Sequence, residues 1–201
     1  MVNLAVIYYS STGTITEIAK GIARAAEEAG ADVRLRRVAE LAPQAAIDSN
    51  PLWAEHARAT AGIPVAEPDD MVWADAVIFG TPTRFGNVSS QLKQFIDTLG
   101  GLQAQGLLAD KVYSGFTSTT TAHGGHESTL LALGNSFHHF GGVIVPPGYT
   151  HEANANPYGT SHHDAFGTAP VGEPTRAAAR AQAERVVRFA EVVKGARAAA
   201  A

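Results

Sequence analysis

Tyr8-Tyr9-Ser10-Ser11-Thr12-Gly13-Thr14-Ile15-Thr16 joins an apolar segment to an amphipathic one and decides the fold. The preceding residues 2–7 predict a buried strand, and apolar side chains recur at helical spacing over residues 15–26. The stretch is therefore a loop that leads into the N-terminus of a helix. Unpaired backbone N–H groups, the helix dipole and Ser/Thr hydroxyls favour a dianionic group such as phosphate there. A turn that only caps the helix is the alternative interpretation.

The composition is typical of a globular protein. The 201 residues are 45% hydrophobic and 17% charged, with a net charge of −4, and this length suits one domain spanning residues 1–201. The mild negative charge argues against nucleic acid or an anionic membrane as a partner. The absence of cysteine excludes disulfides and thiolate chemistry. No apolar run approaches the ~20 residues of a membrane span, so we expect a cytoplasmic protein.

Strand and helix patterns alternate along the chain and predict an α/β fold with a parallel sheet. The predicted strands cover residues 2–7, 31–38, 75–82, 111–116 and 143–146, and the predicted helices cover residues 15–26, 88–99, 129–139 and 173–195. Residues 31–38 alternate apolar and polar side chains, which predicts an edge strand. In such sheets ligands bind beyond the carboxyl ends of the strands, where the winding direction reverses.

Three loops rich in Gly, Ser, Thr or Pro follow predicted strands, at residues 10–16, 81–87 and 117–125. The topology brings them to one rim, which predicts a binding site. The second loop offers backbone amides, the Arg84 cation and the Phe85 ring, a set that suits a flat, hydrogen-bonding heterocycle; a simple turn is the alternative. Residues 39–70 and 147–172 carry no firm structural pattern, and we expect the latter to be an active-site flap or a subunit-contact loop.

The eight histidines do not form a metal motif. His123 and His126 have a spacing that could place two imidazoles on one metal, but no acidic or Cys partner stands at a matching interval, so we predict no metal site. His139 is expected near the third loop, because it ends the helix that follows that loop. It would there be a ligand contact or proton relay, with ordinary packing as the alternative.

Seven short motifs, spread over nearly the whole chain, carry a resemblance to a known family. They are Tyr8-Tyr9-Ser10 with Gly13 and Ile15, Phe79-Gly80-Thr81-Pro82-Thr83-Arg84-Phe85-Gly86-Asn87, Gly100-Gly101-Leu102, Ser118-Thr119 to Gly124-Gly125, His138-His139, Val143 to Tyr149, and Pro157-Tyr158-Gly159. In this order they resemble the WrbA family of NAD(P)H:quinone oxidoreductases, which are flavodoxin-like FMN proteins. Ordinary flavodoxins have threonine at the position of Ile15 and lack the string from Thr83 to Asn87.

The resemblance implies a five-stranded parallel sheet in the order 2-1-3-4-5 with helices on both faces, a homotetramer, and two-electron reduction of quinones by NADH or NADPH through FMN in a ping-pong reaction. It implies three groups of FMN-binding residues: Ser10, Ser11, Thr12, Gly13, Thr14 and Ile15 for the phosphate; Pro82, Thr83, Arg84, Phe85, Gly86 and Asn87 along the ring; and Ser118, Thr119, Thr120, Thr121 and Gly124 at its other polar edge, with His139 near the ring.

The substrate side is where this chain departs from the family. Gln103 and Tyr149 are the predicted substrate residues, but the family often has tryptophan at Gln103 and an aromatic residue at Thr12. The nicotinamide donor and the quinone therefore stay open. FMN would carry the chemistry, so no catalytic side chain is expected beyond the candidate His139. A one-electron flavodoxin-type carrier is the alternative function, and a flavin-free regulatory module is the second.

Overall fold

The computed structural model of the protein describes residues 1–200. In this range six strands are present: β1 (Asn3–Tyr8), β2 (Asp32–Arg37), β3 (Ala76–Pro82), β4 (Val112–Thr119), β5 (Val143–Ile144) and β6 (Ser161–His163). The helices are α1 (Thr14–Glu28), α2 (Gln44–Asp48), α3 (Pro51–Ala59), α4 (Pro68–Trp73), α5 (Ser90–Asp97), α6 (Gly100–Ala104), α7 (His126–His139) and α8 (Glu173–Ala200). No helix among these residues combines the length and the apolar character needed to cross a bilayer.

The strands form a parallel sheet in the order β2-β1-β3-β4-β5, which confirms the predicted topology. Among the six strands β2 pairs only with β1, its other edge has a single bridge from Arg37 to Val65, and most of its side chains are half-buried, as expected of an edge strand. The winding direction reverses between β1 and β3, because β2 and its helices lie to one side and all later strands lie to the other. The carboxyl ends of β1, β3 and β4 therefore meet at one rim of the sheet.

β1 is buried on both faces because its side chains alternate between two cores. Leu4 and Val6 join the core that α1 and α8 cover, and Ala5 and Ile7 join the opposite core, which α4, α5 and α7 cover. All four side chains are fully buried. Helices thus cover both faces of the sheet, as predicted.

The segment 147–172 contains a strand that the sequence pattern did not predict. β6 pairs in parallel with Thr117–Thr119 at the carboxyl end of β4, whereas β5 pairs only with Val112 and Tyr113 at its beginning. Since β3 occupies the other edge of β4, β5 and β6 share one edge. Because β5 has only two residues, it leaves the carboxyl half of that edge without a partner. β6 pairs there, although its polar sequence shows no alternation of apolar side chains. The segment is thus partly sheet and not only a flap.

Two further differences concern helices. The unassigned residues 39–70 hold α2, α3 and the first half of α4. α8 was predicted to end near Gly195 but continues to Ala200. Gly195 does not adopt the left-handed conformation with which glycine ends many helices, so the helix continues beyond it.

Candidate functional site

A cavity of about 230 Å³ opens at the carboxyl ends of β1, β3 and β4, where the three predicted loops meet. It is lined by Ser10, Ser11, Thr12, Thr14 and Ile15 from the first loop, Pro82, Thr83 and Arg84 from the second, Ser118, Thr119 and Thr120 from the third, and Asp164. Gly13, Phe85, Gly86, Asn87, Thr121 and Gly124 belong to the same loops but do not line the cavity. The structure therefore brings the three predicted loops to one place.

The first loop places hydroxyls around the N-terminus of α1. Gly13 has a left-handed φ of 110°, and its N–H donates to Ser10 Oγ at 3.1 Å. No side chain caps α1, so its first-turn N–H groups are left for a ligand. The helix dipole adds a partial positive charge at this point. These features suit an anion, as the sequence predicts.

The second loop is a tight turn with left-handed backbone at both central residues, Phe85 (φ 53°) and Gly86 (φ 74°). Two hydrogen bonds close it: Arg84 N–H donates to the Asn87 carbonyl at 2.8 Å, and Asn87 N–H donates to the Arg84 carbonyl at 3.0 Å. A left-handed φ is unfavourable for an aromatic residue, and such strain is concentrated at functional sites. The turn leaves the Phe85 side chain fully exposed beside the cavity.

The third loop packs directly on the second. Thr83 N–H donates to the Ser118 carbonyl at 2.9 Å, and Thr83 Oγ1 donates to the Gly124 carbonyl at 3.2 Å. The same hydroxyl lies 2.8 Å from Thr129 Oγ1 on α7. These contacts fix the separation of the two loops that would enclose a flat ligand.

Histidine side chains connect the third loop to β6. His126 Nε2 lies 2.6 Å from Thr119 Oγ1 and donates to the His162 carbonyl at 3.2 Å. His162 Nε2 in turn donates to the Ala169 carbonyl at 2.9 Å. The contacts of both rings are with protein groups, so we assign them a structural role. Within residues 1–200, no cluster of three His, Cys, Asp or Glu side chains suitable for a metal ion is present.

Asp164 is the cavity residue that sequence reasoning missed. It follows β6 directly and is 9% exposed. Its Oδ2 accepts a hydrogen bond from Thr14 Oγ1 at 3.3 Å, whereas the buried Oδ1 has no partner. No local pattern marks this aspartate, because its place depends on the pairing of β6 with β4. The one available signal was the long unassigned loop that contains it.

A second group of residues, centred on Glu40 in the segment 39–70, supports the first loop from behind. Glu40 accepts hydrogen bonds from Tyr9 Oη at 2.8 Å, Trp53 Nε1 at 3.2 Å and Gln91 Nε2 at 2.9 Å. Burial raises the pKa of Glu40, but hydrogen bonds from the Ala42 N–H and from side chains outweigh it and leave the pKa lowered. Burial and the neighbouring Glu40 raise the pKa of Tyr9. The pair is therefore a carboxylate and a neutral phenol at neutral pH.

His56 on α3 also contacts the first loop region. Its Nε2 lies 2.8 Å from Thr16 Oγ1, and its Cδ2 lies 3.5 Å from the position that a Cβ on Gly13 would take. Burial lowers the pKa of His56, so the ring is neutral at neutral pH. The His56 ring thus packs on the loop without adding positive charge.

Three predicted residues do not reach the cavity in a single chain. α7 begins at the third loop and ends at His139, about 20 Å further along the helix axis, so the expectation that His139 lies beside that loop is wrong for one chain. It is the opposite end of this helix that faces the site. The predicted substrate residues Gln103, on α6, and Tyr149, after β5, are exposed and do not line the cavity.

The strand order and the hydroxyl-rich cavity at the reversal of winding define a flavodoxin-like protein. The family model described as NADPH-dependent FMN reductase matches residues 3–157. The chain belongs to this family.

Curated relatives and solved structures agree with this assignment. A Deinococcus radiodurans protein named NAD(P)H dehydrogenase (quinone) is 44% identical over 198 residues, covering 96% of this chain and 98% of that protein. A protein of the same name from Methylocella silvestris is 39% identical over 204 residues, covering 97% and 100%. These relatives confirm the resemblance to NAD(P)H:quinone oxidoreductases that the seven sequence motifs carry.

The structural neighbours confirm the flavodoxin-like fold. The flavodoxin, WrbA-like protein from Agrobacterium tumefaciens has a TM-score of 0.70 at 24% identity, with 96% of this chain and 99% of that chain covered. A flavodoxin from the domain Archaea has a TM-score of 0.63 at 13% identity, with 94% and 99% covered.

Proposed function

We propose that this chain is an FMN-dependent NAD(P)H:quinone oxidoreductase that reduces quinones to hydroquinones by two electrons. The names of its full-length relatives and its family support the activity. The observation that carries the FMN assignment is the cavity in which the uncapped N-terminus of α1 meets two further polar loops.

The donor set of the cavity fits FMN. Residues 10–15 offer hydroxyls and backbone N–H groups to the phosphate, as an anion at a helix N-terminus requires. The loops at residues 82–87 and 118–124 would hold the ring between them, with polar groups along its edge. When bound, FMN supplies the capacity to accept a hydride from NAD(P)H and to pass two electrons to a quinone.

The side chains of this protein position the reactants and do not attack them. Arg84 would offer a positive charge to the bound ring, and the exposed Phe85 would form a flat apolar surface against which a substrate could align. Holding the donor and acceptor atoms of a transfer reaction about 3–3.5 Å apart supplies a large part of an enzyme's rate enhancement. Nicotinamide and quinone would use the same face in turn, which predicts ping-pong kinetics with parallel double-reciprocal lines.

We also propose that the protein assembles as a homotetramer whose subunits share the substrate site. His139, Gln103 and Tyr149 lie on the surface away from the cavity of their own chain, so a neighbouring copy is needed to bring them to a ring. An apolar groove beside α7, which includes the exposed Leu131 and Tyr158, supports such a contact. Light scattering coupled to size-exclusion chromatography tests the subunit number.

The experiment that tests the function is a visible spectrum of the protein with and without added FMN, followed by NADH and NADPH oxidation with benzoquinone in the same cuvette. Flavin absorption bands and quinone-dependent turnover are expected, and the faster nucleotide identifies the donor. Bound FMN without turnover would favour the one-electron carrier. Failure to bind FMN would refute the assignment of all three loops.

A further inference from the structure

Asp164 places a carboxylate at the end of the cavity where the proposed phosphate site lies. It lines the same cavity as Ser10, Ser11 and Thr12, and its Oδ2 accepts a hydrogen bond from the Thr14 hydroxyl at 3.3 Å. Thr14 is the first residue of α1, so the carboxylate lies at the helix N-terminus that an anionic ligand would use. Asp164 therefore competes with a ligand for the Thr14 hydroxyl.

The second carboxylate oxygen has no partner. Oδ1 is buried and accepts no hydrogen bond, and the residue as a whole is only 9% exposed. A buried carboxylate oxygen is normally hydrogen-bonded, and an orphan needs an explanation. A carboxylate whose one side-chain partner is the Thr14 hydroxyl keeps most of its negative charge uncompensated, and such a charge disfavours a second negative charge beside it.

The backbone holds Asp164 in place. Its N–H donates to the Thr119 carbonyl at 2.9 Å, and its carbonyl accepts from the Gly167 and Ala169 N–H groups, both at 2.9 Å. The turn that follows has left-handed backbone at three consecutive residues, 165 to 167, of which two are not glycine. The carboxylate is therefore a fixed element of the cavity.

The cavity offers little compensation for this charge. Of the residues that line it, only Arg84 and Asp164 carry a formal charge, and the two form no ion pair with each other. The hydroxyls of the first loop are neutral. The phosphate end thus combines neutral donors and a helix dipole with one opposing carboxylate.

We propose that Asp164 is a specificity-determining residue that weakens the binding of phosphorylated flavin, so that FMN is an exchangeable cofactor held only a little more tightly than riboflavin. This inference rests on the proposed FMN function. Riboflavin shares the ring of FMN but lacks the phosphate, so it reports on the rest of the site. The charge of Asp164 should affect FMN and leave riboflavin unaffected.

The test measures the dissociation constants of FMN and riboflavin by quenching of flavin fluorescence. The protein is compared with Asp164→Asn, which keeps the side-chain shape but removes the charge, and with Asp32→Asn. Asp32 is exposed at the amino end of β2, on the opposite rim of the sheet, so this control removes the same net charge far from the cavity. Thermal unfolding checks that each variant is folded.

We expect Asp164→Asn to bind FMN about tenfold more tightly than the parent, because the repulsion between the carboxylate and the phosphate is removed. Its riboflavin dissociation constant should stay within about twofold of the parent value, because riboflavin has no phosphate. Asp32→Asn should change neither constant. Unchanged or weaker FMN binding by Asp164→Asn, or an equal shift for both flavins, would overturn the inference and leave the FMN function intact. Absence of flavin binding by any form would overturn both proposals.

The unmodified protein gives an independent readout if Asp164→Asn does not fold. The ratio of its riboflavin and FMN dissociation constants should be about ten or less. A ratio of about a thousand would show that the phosphate is held strongly despite Asp164, and would contradict the inference.

Discussion

Gly125 packs against Gly86 so closely that a Cβ atom on Gly125 would lie 2.8 Å from the Cα atom of Gly86. Gly125 precedes α7 with a left-handed φ of 96°, and Gly86 is in the tight turn after Arg84. The contact joins the second and third loops through backbone alone. Together with the hydrogen bonds of Thr83, this contact fixes the separation of the two loops that would enclose the flavin.

Substitution of Gly125 should open the site. Gly125→Ala must displace the Gly86 backbone and strain its own φ, so we expect about 1–3 kcal/mol of lost stability and about tenfold weaker FMN binding. Gly134→Ala is the matched control, because Gly134 lies inside α7 with no atom within 4 Å of its added Cβ. It should gain about 0.5–1 kcal/mol and leave FMN binding unchanged. Urea unfolding and flavin titration measure both effects; equal FMN affinities in the two variants would contradict this prediction.

Removal of the Arg84 charge should make the bound flavin harder to reduce, since a nearby cation stabilises the negative charge that reduction adds. For Arg84→Gln we expect a midpoint potential about 30 mV more negative, which corresponds to about 1.4 kcal/mol for a two-electron couple. Lys20→Gln, on the exposed side of α1, is the control for net charge and should have no effect. Spectroscopic redox titration measures the shift. A potential that stays the same in Arg84→Gln would remove Arg84 from this role.

Hydrogen bonds of the Gln182 side chain connect α8 to β4, the strand that leads into the third loop of the site. Its Nε2 donates to Ser114 Oγ and to the Gly115 carbonyl, both at 2.8 Å, and its Oε1 accepts from Thr160 N–H at 2.8 Å. The side chain is fully buried. Gln182→Leu removes the partner of the Thr160 N–H and one partner each of Ser114 Oγ and the Gly115 carbonyl, so we expect a loss of about 2–4 kcal/mol in urea unfolding.

The same substitution should weaken FMN binding, because Thr160 directly precedes β6, the strand that leads into Asp164. Glu184→Leu, exposed on the same helix, is the control and should stay within about 0.5 kcal/mol of the parent. Similar unfolding curves for Gln182→Leu and Glu184→Leu would show that the buried network contributes little.

Lys111 makes stability depend on pH in the alkaline range. The residue is buried, and its Nζ donates to the carbonyls of Val72 and Ala74. Burial, aided by Arg197, lowers the pKa of Lys111 to about 8, below the unfolded value of about 10.4. The unfolded state then binds more protons than the folded state between these values, so stability should rise with pH in that window.

The measurement is urea unfolding from about pH 7.5 to about pH 9.5, which stays below the ordinary pKa of unfolded tyrosine at about 10. Stability of the parent should increase over this range by up to about 2 kcal/mol, and Lys111→Met should lose the increase. A parent whose stability is flat or falls over the range would contradict the lowered pKa.

The sequence predicts the sheet because the signals are local. β1 has an uninterrupted apolar run, and residues 31–38 alternate, so the pattern alone distinguishes a central strand from an edge strand. The helices of residues 39–70 also carry readable signals: Asn50 caps α3 through bonds to the Leu52 and Trp53 N–H groups at 3.1 and 3.3 Å, and Pro51 follows at the first helical position.

The three loops were predictable because each combines its ligand-binding groups within a few residues. Asp164 was not, since it meets Thr14 across 150 residues through a strand that forms only against the open edge of β4. His139 does not lie beside the third loop of its own chain, because α7 begins directly after that loop and His139 is its last residue. Chain order therefore already indicates that the N-terminal end of α7 faces the site, whereas the long-range pairing of β6 is what the sequence pattern leaves undetermined.

The most direct test of the proposed electron transfer through FMN records the flavin absorbance under anaerobic conditions. FMN-loaded protein is mixed first with NADH or NADPH and then with benzoquinone. We expect full bleaching by the nucleotide at a rate no slower than turnover, and full recovery of the absorbance when quinone is added. Absorbance that the nucleotide leaves unchanged, or that quinone does not restore, would contradict the proposed function.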